Sequence, residues 1–281
     1  MNKMKKAIVL LLPVLFMVNG CGAIAAFEQD ATPAQQSAQV SQNEPFSYEP
    51  YARVLATYVD AEGKVDYKAL GANRGDLDKF NNSLATLPRS TYDSWTEEEQ
   101  IALWVNAYNS LTLKAIVDNN PKKSIRDIFR VWDRLKFNVM GEEMSLNHLE
   151  HKILRKDFNE PRIHMGIVCA SIGCPLLRRE PFVGDRLAEQ LDEQTREFLA
   201  LDRNFKLDRQ DKRVHLSSIF KWFGEDFEIT YGAKDKFTGK DKERAVLNFV
   251  SGYLSESDRN YLMEGKYKID YLSYDWSLNA Q

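Results

Sequence analysis

Apolar residues recur at helical spacing over several stretches of the chain, and this pattern predicts helices there. The clearest helix begins at Thr96, which forms a capping box with Glu99: each side chain can accept a hydrogen bond from the other residue's backbone N–H. The apolar stripe continues to about Asp118, where Asn-Asn-Pro ends the helix. Further helices are predicted at 146–155 after Ser145, at 185–199, at 218–222 after Ser217, and as a pair between 240 and 263.

Shorter segments have the alternation or the compact apolar character of strands. Residues 136–140 and 143–145 flank a Gly-Glu turn, and residues 205–208 and 213–216 flank a polar turn, so each pair predicts a hairpin. We interpret the apolar run 163–168 as a further strand and the alternating residues 267–272 as the last one. Hairpins among several helices predict an α+β fold, with the helices packed on a small, mainly antiparallel sheet.

The first 20 residues have the organisation of a signal peptide. A basic segment, MNKMKK, precedes an apolar run, AIVLLLPVLFMV, that is too short to span a bilayer comfortably. The VNGC that follows ends at Cys21 and resembles the bacterial lipobox, which predicts lipidation of Cys21 and attachment to the bilayer on the periplasmic side of the cell envelope. Gly22 favours the outer membrane by enterobacterial sorting rules. The alternative is ordinary cleavage near Ala25, which would release a soluble periplasmic protein.

Residues 21–47 are rich in Gln, Ser and Ala, which predicts a flexible tether. No repeat or later linker divides the remainder, so residues 48–281 are expected to form a single domain. The composition is that of a globular protein, 43% hydrophobic and 28% charged. The formal net charge is −3 without a basic patch, so we exclude nucleic acid as a partner. No phosphate-binding loop is present, and we predict no cofactor.

The stretch RIHMGIVCASIGCP, residues 162–175, concentrates reactive side chains. Its Cys169 and Cys174 allow four interpretations. The first is a disulfide, which an oxidising compartment favours. The second is a thiolate nucleophile, activated by a neighbouring base or a helix N-terminus. The third is a zinc site with His164 and a carboxylate, but the usual Cys-x2–4-Cys spacing is lacking, and we predict no metal. The fourth is a pair of ordinary buried thiols.

The spacing of His164 and Cys169 limits a direct pair between them. On a straight strand Cys169 would face away from His164 and lie about 16 Å along the chain, so the two can meet only if the chain turns at Val168. Glu150 is a second candidate partner for His164, because it falls on the apolar side of its predicted helix, where a carboxylate needs a partner. Either Glu150 forms a structural pair with His164 or Arg162, or it orients His164 as a general base.

Asn106 and Asn109 share one side of the long predicted helix, where Asn is an unfavourable residue. Their amides are expected either to tie loops to the helix or, for Asn106, to polarise a substrate carbonyl in a cleft.

Five blocks of the sequence together resemble a known family. They are WVNAYNSLTLKAI, SLNHLEHKILR, PRIHMGIVCASIGCPLL, LSSIFKWFGEDF and YLSYDWSLN. Their content and order are similar to the domain of unknown function 547 family, whose members occur in bacteria, plants and nematodes. The resemblance extends over about residues 50–279. It implies a distant fold analogy to papain-like or transglutaminase-like thiol enzymes, and fold alone does not fix function.

Three functions are consistent with these residues. The first is a cysteine-dependent hydrolase or acyl transferase acting on peptide or amide substrates in the envelope. Cys169 would be its nucleophile, His164 the base, Glu150 the group that orients the base, and Asn106 a polarising group. The second is a non-enzymatic binding or scaffolding module held by a Cys169–Cys174 disulfide. The third is thiol–disulfide exchange, against which the Cys-x4-Cys spacing argues because it lacks the tight Cys-x2-Cys geometry.

Overall fold

The computed structural model describes residues 46–281. The predicted signal peptide, Cys21 and most of the predicted tether lie outside the described residues. Phe46, at the start of the described part, already packs against the rings of Tyr48, Phe80 and Trp95. Among the described residues, no helix is long and apolar enough to cross a bilayer.

Five helices form the first half of the domain: Glu49–Tyr58, Tyr67–Ala72, Gly75–Thr86, Arg89–Asp93 and Glu97–Asn119. The last of these is the central helix. It is buried on nearly all sides from Ile101 to Ile116, as expected for a helix that is apolar all round. The predicted capping box at its start is confirmed, with both the Thr96 and the Glu99 side chains accepting backbone hydrogen bonds.

The middle of the chain contains a hairpin and an unusual helix. A 3-10 turn, Ile125–Asp127, leads to the antiparallel strands Phe137–Val139 and Glu142–Met144, which confirms the first predicted hairpin. Ser145 caps the next helix as predicted. That helix consists of an α-helical turn Leu146–His148, a π-helical stretch Leu149–Leu154 and a final turn Arg155–Asp157. π-Helical turns are rare in proteins, and those that do occur are often found at functional sites.

The strand predicted at 163–168 is wrong. Ile163–Gly166 is a short helix, and only Ile167 and Val168 continue in an extended conformation. All six residues of the run are buried, so their side chains show no alternation between core and solvent. A short apolar run of this kind does not distinguish a buried strand from a buried helix.

The second half of the domain follows the predicted order. Its helical segments are Gly184–Arg186 (3-10), Leu187–Leu199, Ser218–Phe223, Gly224–Phe227 (3-10), Glu228–Tyr231, Asp241–Ser251 and Glu256–Glu264. Its strands are Phe205–Asp208, Arg213–Leu216 and Lys268–Tyr271. The first two strands pair antiparallel, and the last pairs parallel to Arg213–Leu216. The α+β class is therefore confirmed, although the described strands form two small sheets rather than one.

The apolar interior consists of two clusters. The larger gathers around the central helix and includes Val168 and Cys174. The smaller lies among the C-terminal helices and the three-stranded sheet and includes Ile219 and Phe220. Tyr274 packs against both clusters, and the candidate site lies where they meet.

Candidate active site

A cavity of about 350 Å³ opens at the junction of the two clusters. Six aromatic side chains form much of its wall: Tyr108, Trp132, Trp222, Phe223, Tyr274 and Trp276. Seven polar or sulfur-containing residues also line it: Asp133, Asn147, Glu150, His151, His164, Cys169 and Cys174. Five residues of the RIHMGIVCASIGCP stretch thus line one cavity together with Glu150: His164, Ile167, Cys169, Cys174 and Pro175.

The loop 169–174 places its two cysteines side by side. Both are free thiols, and their sulfur atoms lie 2.7 Å apart. The backbone N–H of Cys169 donates a 2.9 Å hydrogen bond to the Cys174 Sγ, and the N–H of Cys174 bonds back to the Ser171 carbonyl. Ala170, between them, has a φ of 57°, a conformation that costs free energy outside glycine and recurs at functional sites. The disulfide interpretation of the sequence stays a prediction for the protein in an oxidising compartment.

Two hydroxyl groups complete the surroundings of the sulfur pair. The Tyr274 hydroxyl lies 3.2 Å from the Cys169 Sγ and 3.0 Å from the Cys174 Sγ. The Ser171 hydroxyl lies 3.2 Å from the Cys169 Sγ and 2.8 Å from the Tyr274 hydroxyl. Each thiol therefore has a donor other than its partner.

The C-terminal segment holds Tyr274 in this position by pairing with the cysteine loop. The N–H groups of Ile172 and Gly173 donate to the carbonyls of Ser277 and Asp275, both at 2.9 Å. The Tyr274 ring lies directly on Gly173, where a Cβ atom would approach it to 2.9 Å. Glycine is therefore needed at position 173, and the Tyr274 hydroxyl reaches the sulfurs because of it.

The hydrogen bonds around the sulfur pair favour a single negative charge on it. Burial opposes ionisation of Cys174, but hydrogen bonds from the Cys169 thiol, Ser171, Tyr274 and the Cys169 N–H together lower the pKa of Cys174 below the ordinary thiol value. The hydrogen bond to Cys174, together with burial, raises the pKa of Cys169 well above that value. The arrangement therefore favours one thiolate shared by the pair.

His164 has a different partner from the one predicted. Its Nε2 lies 2.7 Å from an oxygen of Asp226, and Arg155 donates to the same carboxylate at 2.6 and 2.8 Å. The imidazole also stacks on Phe223, with 4.3 Å between ring centroids. Burial lowers the pKa of His164 despite the Asp226 carboxylate, so the ring is mostly neutral at pH 7. Burial raises the pKa of Asp226, but the bonds from His164 and Arg155 outweigh it and leave the pKa well below the usual range.

Glu150 does not orient His164. It forms no salt bridge with any described residue, and Arg162, the other predicted partner, is engaged by Glu160 and Asp192 instead. Glu150 is only 8% exposed and lies on the π-helical stretch. Burial raises its pKa to about 7, although the charge of Arg155 and the Tyr108 hydroxyl favour the ionised form. The side chain is thus a buried acid that lines the cavity.

Asn106 does not line the cavity. Its amide bonds the backbone of Phe182, donating to the carbonyl at 2.7 Å and accepting from the N–H at 3.0 Å. The loop-tying interpretation is therefore right, and the polarising role is not supported. Asn109 acts in the same way on the cysteine segment, bonding the Gly166 carbonyl at 2.9 Å and the Val168 N–H at 2.8 Å. These bonds end the short helix and direct the chain into Cys169.

The predicted catalytic dyad is not assembled as a direct contact. His164 and Cys169 line the same cavity, but the sulfur bonds to Ser171, Cys174 and Tyr274, and no described hydrogen bond joins it to the imidazole. Cys169 also lies in a loop, so no helix N-terminus assists its ionisation. Among the described residues, no group of three His, Cys, Asp or Glu side chains has the arrangement of a metal site.

Two residues of the site were not predicted from the sequence. Asp226 lies in the block LSSIFKWFGEDF and Tyr274 in the block YLSYDWSLN, 62 and 105 positions from the His164 and Cys169 they contact. The sequence indicates these two residues only in that both belong to blocks that resemble the family. Spacing within one segment cannot show a contact of that separation.

A model of the family described as protein of unknown function, DUF547, matches residues 92–199. The matched segment contains both cysteines, His164 and Glu150, and it ends before Asp226. This match supports the family resemblance seen in the sequence blocks. No curated protein and no solved structure matches the chain. The analogy to papain-like or transglutaminase-like enzymes stays a prediction.

Proposed function

We propose that the protein is a thiol–disulfide exchange enzyme whose Cys169–Cys174 pair cycles between dithiol and disulfide. The observation that carries this proposal is the 2.7 Å separation of two free sulfurs that share hydrogen-bond donors. The fold overcomes the long Cys-x4-Cys spacing, because the turn at 170–173 brings the sulfurs together. A thiolate present at neutral pH is the nucleophile that such exchange requires.

The proposed reaction proceeds in two displacements. The Cys174 thiolate attacks one sulfur of a substrate disulfide, the substrate S–S bond breaks, and the departing thiolate takes up a proton. Cys174 is then neutral, so the charge that raised the pKa of Cys169 is gone. Cys169 then gives its proton to water, the Tyr274 and Ser171 hydroxyls stabilise its thiolate, and this thiolate attacks the Cys174 sulfur. The second substrate thiolate leaves, the substrate gains two electrons, and a thiol reductant such as glutathione restores the dithiol.

Turnover of glutathione disulfide and of a disulfide-linked peptide tests this proposal. The unaltered protein should catalyse exchange, Cys174→Ser should abolish it, and Cys169→Ser should stop after one mixed disulfide that mass spectrometry detects. Absence of exchange above the uncatalysed rate, in protein whose two thiols are shown to be free, would overturn the proposal.

A second candidate, acyl transfer, is favoured by one specific observation. Glu150, whose pKa burial raises to about 7, and His164, whose pKa burial lowers, line the same cavity as the thiols. A cysteine-dependent hydrolase or acyl transferase would use the Cys174 thiolate as nucleophile on a peptide or amide carbonyl. Against it, the Cys169 N–H is already bonded to sulfur and does not serve an oxyanion. Trapping with an activated ester tests it: an acyl adduct on Cys174 that hydrolyses on turnover supports acyl transfer. Inert thiols in both assays would support the non-enzymatic module.

We also propose that the protein is exported and lipid-anchored at Cys21. The support is the sequence alone: a basic start, a short apolar run, and a lipobox-like VNGC. An oxidising compartment beyond the inner membrane also suits disulfide chemistry. Labelling with radioactive palmitate tests the anchor. Cys21→Ser should lose the label and move the protein to the soluble periplasmic fraction. A soluble, unlabelled wild-type protein beginning near Ala26 would contradict it.

A further inference from the structure

Aromatic side chains form much of the wall of the thiol cavity, and several of them pack against one another. The Trp276 ring lies 5.9 Å from both Trp132 and Trp222 and 4.5 Å from Tyr274, measured between centroids. Trp222 is still 42% exposed, although large apolar side chains in the described domain are mostly buried. Aromatic faces attract cations through their ring quadrupoles, and ammonium groups are bound by surrounding rings in this way.

The charged groups that line the cavity are acidic. Asp133 and Glu150 line it, while no Lys or Arg side chain does. Its two histidines are mostly neutral at pH 7, because burial lowers the pKa of both. Arg155 lies close by, but its guanidinium is held by Asp226, Glu225 and the His151 Nδ1. An anionic ligand would therefore meet carboxylates and ring faces. The cations near these rings, Arg155 at 4.9 Å from the Phe223 centroid and Arg126 at 5.2 Å from the Trp276 centroid, do not line the cavity.

Glu150 is a buried acid of this cavity without a salt bridge to any described residue, although the Tyr108 hydroxyl and the charge of Arg155 favour its ionised form. It is more than nine-tenths buried. A buried carboxylate without a counter-charge is costly in free energy. The cost is recovered when a ligand supplies the positive charge.

We propose that the cavity binds an amine, with the ammonium group between the Glu150 carboxylate and the aromatic faces. Together with the proposed function, this assignment names the substrate as a disulfide or thiol that carries a cationic amine near the sulfur. Only this substrate class rests on the proposed function; the amine site itself does not. The cavity places Glu150 and the cysteines on shared walls, so one small molecule can reach both. Selectivity would then favour amine-bearing substrates over carboxylate-bearing ones.

The pH dependence of amine binding follows from the groups around Glu150. Arg155 on its own helix and Tyr108 on the central helix favour its ionised form, whereas Asp226 and the shared thiolate oppose it. Because burial dominates, Glu150 ionises only near pH 7, and an ammonium ligand should bind more tightly as the pH rises through that region.

Binding of propylammonium and propionate to the mature Cys169→Ser/Cys174→Ser protein tests the proposal without any thiol chemistry. Tryptophan fluorescence reports binding, since three tryptophans line the cavity. Propylammonium should bind roughly tenfold or more tightly than propionate and should tighten between pH 6 and pH 8. Glu150→Gln should remove both effects, and Glu143→Gln, on an exposed strand position, should change neither. Asp133→Asn should leave the pH dependence intact.

Three results would overturn the assignment of Glu150. They are equal binding of the two probes, selectivity and pH dependence that persist in Glu150→Gln, and loss of selectivity in Asp133→Asn alone. With active protein, the proposal predicts faster exchange with cystamine than with the dianionic dithiodipropionate. Selective amine binding without disulfide exchange would refute the proposed function and leave the amine site standing. Disulfide exchange without selectivity for the amine would refute the amine site and leave the proposed function standing.

Discussion

The backbone N–H of Cys169 donates a 2.9 Å hydrogen bond to the sulfur of Cys174, although the two residues are five positions apart. This bond fixes the distance between the thiols and places a donor directly on the sulfur that carries the charge. Backbone donors aimed at a sulfur favour the thiolate over the thiol. The reactivity proposed for the site therefore begins with the conformation of the loop rather than with a neighbouring base.

The thiol pair should react with alkylating reagents well below the pH that ordinary cysteines require. The rate of iodoacetamide labelling of the domain should rise with a midpoint below the ordinary thiol range, because the hydrogen bonds to Cys174 lower its pKa. Stopped-flow labelling between pH 4 and pH 10 measures it, with the sites read by mass spectrometry. A midpoint in the ordinary thiol range would show that the hydrogen bonds do not stabilise a thiolate.

Tyr274→Phe should make the site less acidic without unfolding it. The change removes the hydroxyl that lies within 3.2 Å of both sulfurs. Hydrogen bonds to charged groups contribute about 1.5–3 kcal/mol, so the labelling midpoint should rise by about one to two pH units. Tyr261→Phe is the matched control, because that hydroxyl is buried without a partner and lies in the C-terminal cluster. An equal shift in the two variants would contradict a specific role for Tyr274.

Much of the fold could be predicted because local signals agreed with the final structure. Caps at Thr96, Ser145 and Ser217 begin helices, and the hairpin at 205–216 has the predicted strands. The exception, 163–168, is buried on all sides and held by Asn109 from another helix, so its conformation is decided by tertiary contacts. The π-helical stretch containing Glu150 and the parallel pairing of the last strand likewise have no local signature.

Asp226→Asn should destabilise the domain, because Arg155 and buried His164 both depend on this carboxylate. Removing one partner of a buried pair costs about 3–5 kcal/mol; with a fifth of the Asp226 side chain exposed, we expect about 2–3 kcal/mol at pH 7. The pKa of Asp226 is depressed in the folded state, so its contribution is present above the ordinary Asp pKa and lost as the pH falls below it.

Urea denaturation of the Asp226→Asn variant at pH 7 and at acidic pH measures this effect. Asp270→Asn is the control, because Asp270 pairs with Arg213 on the surface and should contribute little. If both variants lose the same small amount of stability, the Arg155–Asp226–His164 arrangement is not a stabilising unit.

The candidate site was only partly predictable. The sequence predicts Cys169, Cys174, His164 and Glu150 as site residues, and all four line one cavity. Their roles were assigned from neighbours in sequence, and that step failed for His164, whose carboxylate partner comes from a segment 62 positions later. Asn106 was a candidate because Asn is unfavourable in helices, but its amide serves the backbone of a loop.

Glu150→Gln should stabilise the domain above neutral pH. Burial raises the pKa of Glu150 in the folded protein to about 7 from an ordinary 4.5. The folded state therefore holds more protons than the unfolded state between these values, and stability falls as the pH rises through them. This change in pKa corresponds to about 3 kcal/mol, which the variant should recover above pH 7. The free energy of unfolding of the wild-type protein and of Glu150→Gln should be measured from pH 4 to pH 9. The difference between them separates the effect of Glu150 from that of the histidines and thiols. A difference that does not change with pH would refute it.

The central claim, that Cys169 and Cys174 act as one redox pair, is tested most directly by equilibrating the mature protein in glutathione buffers of graded potential. Acid quenching, alkylation and mass spectrometry then count free thiols and bridges. We predict a single reversible two-electron transition in which a Cys169–Cys174 bridge forms and both thiols disappear together, and neither Cys169→Ser nor Cys174→Ser should form a bridge. Thiols that stay free in oxidised glutathione, or a bridge that glutathione never reduces, would contradict the account.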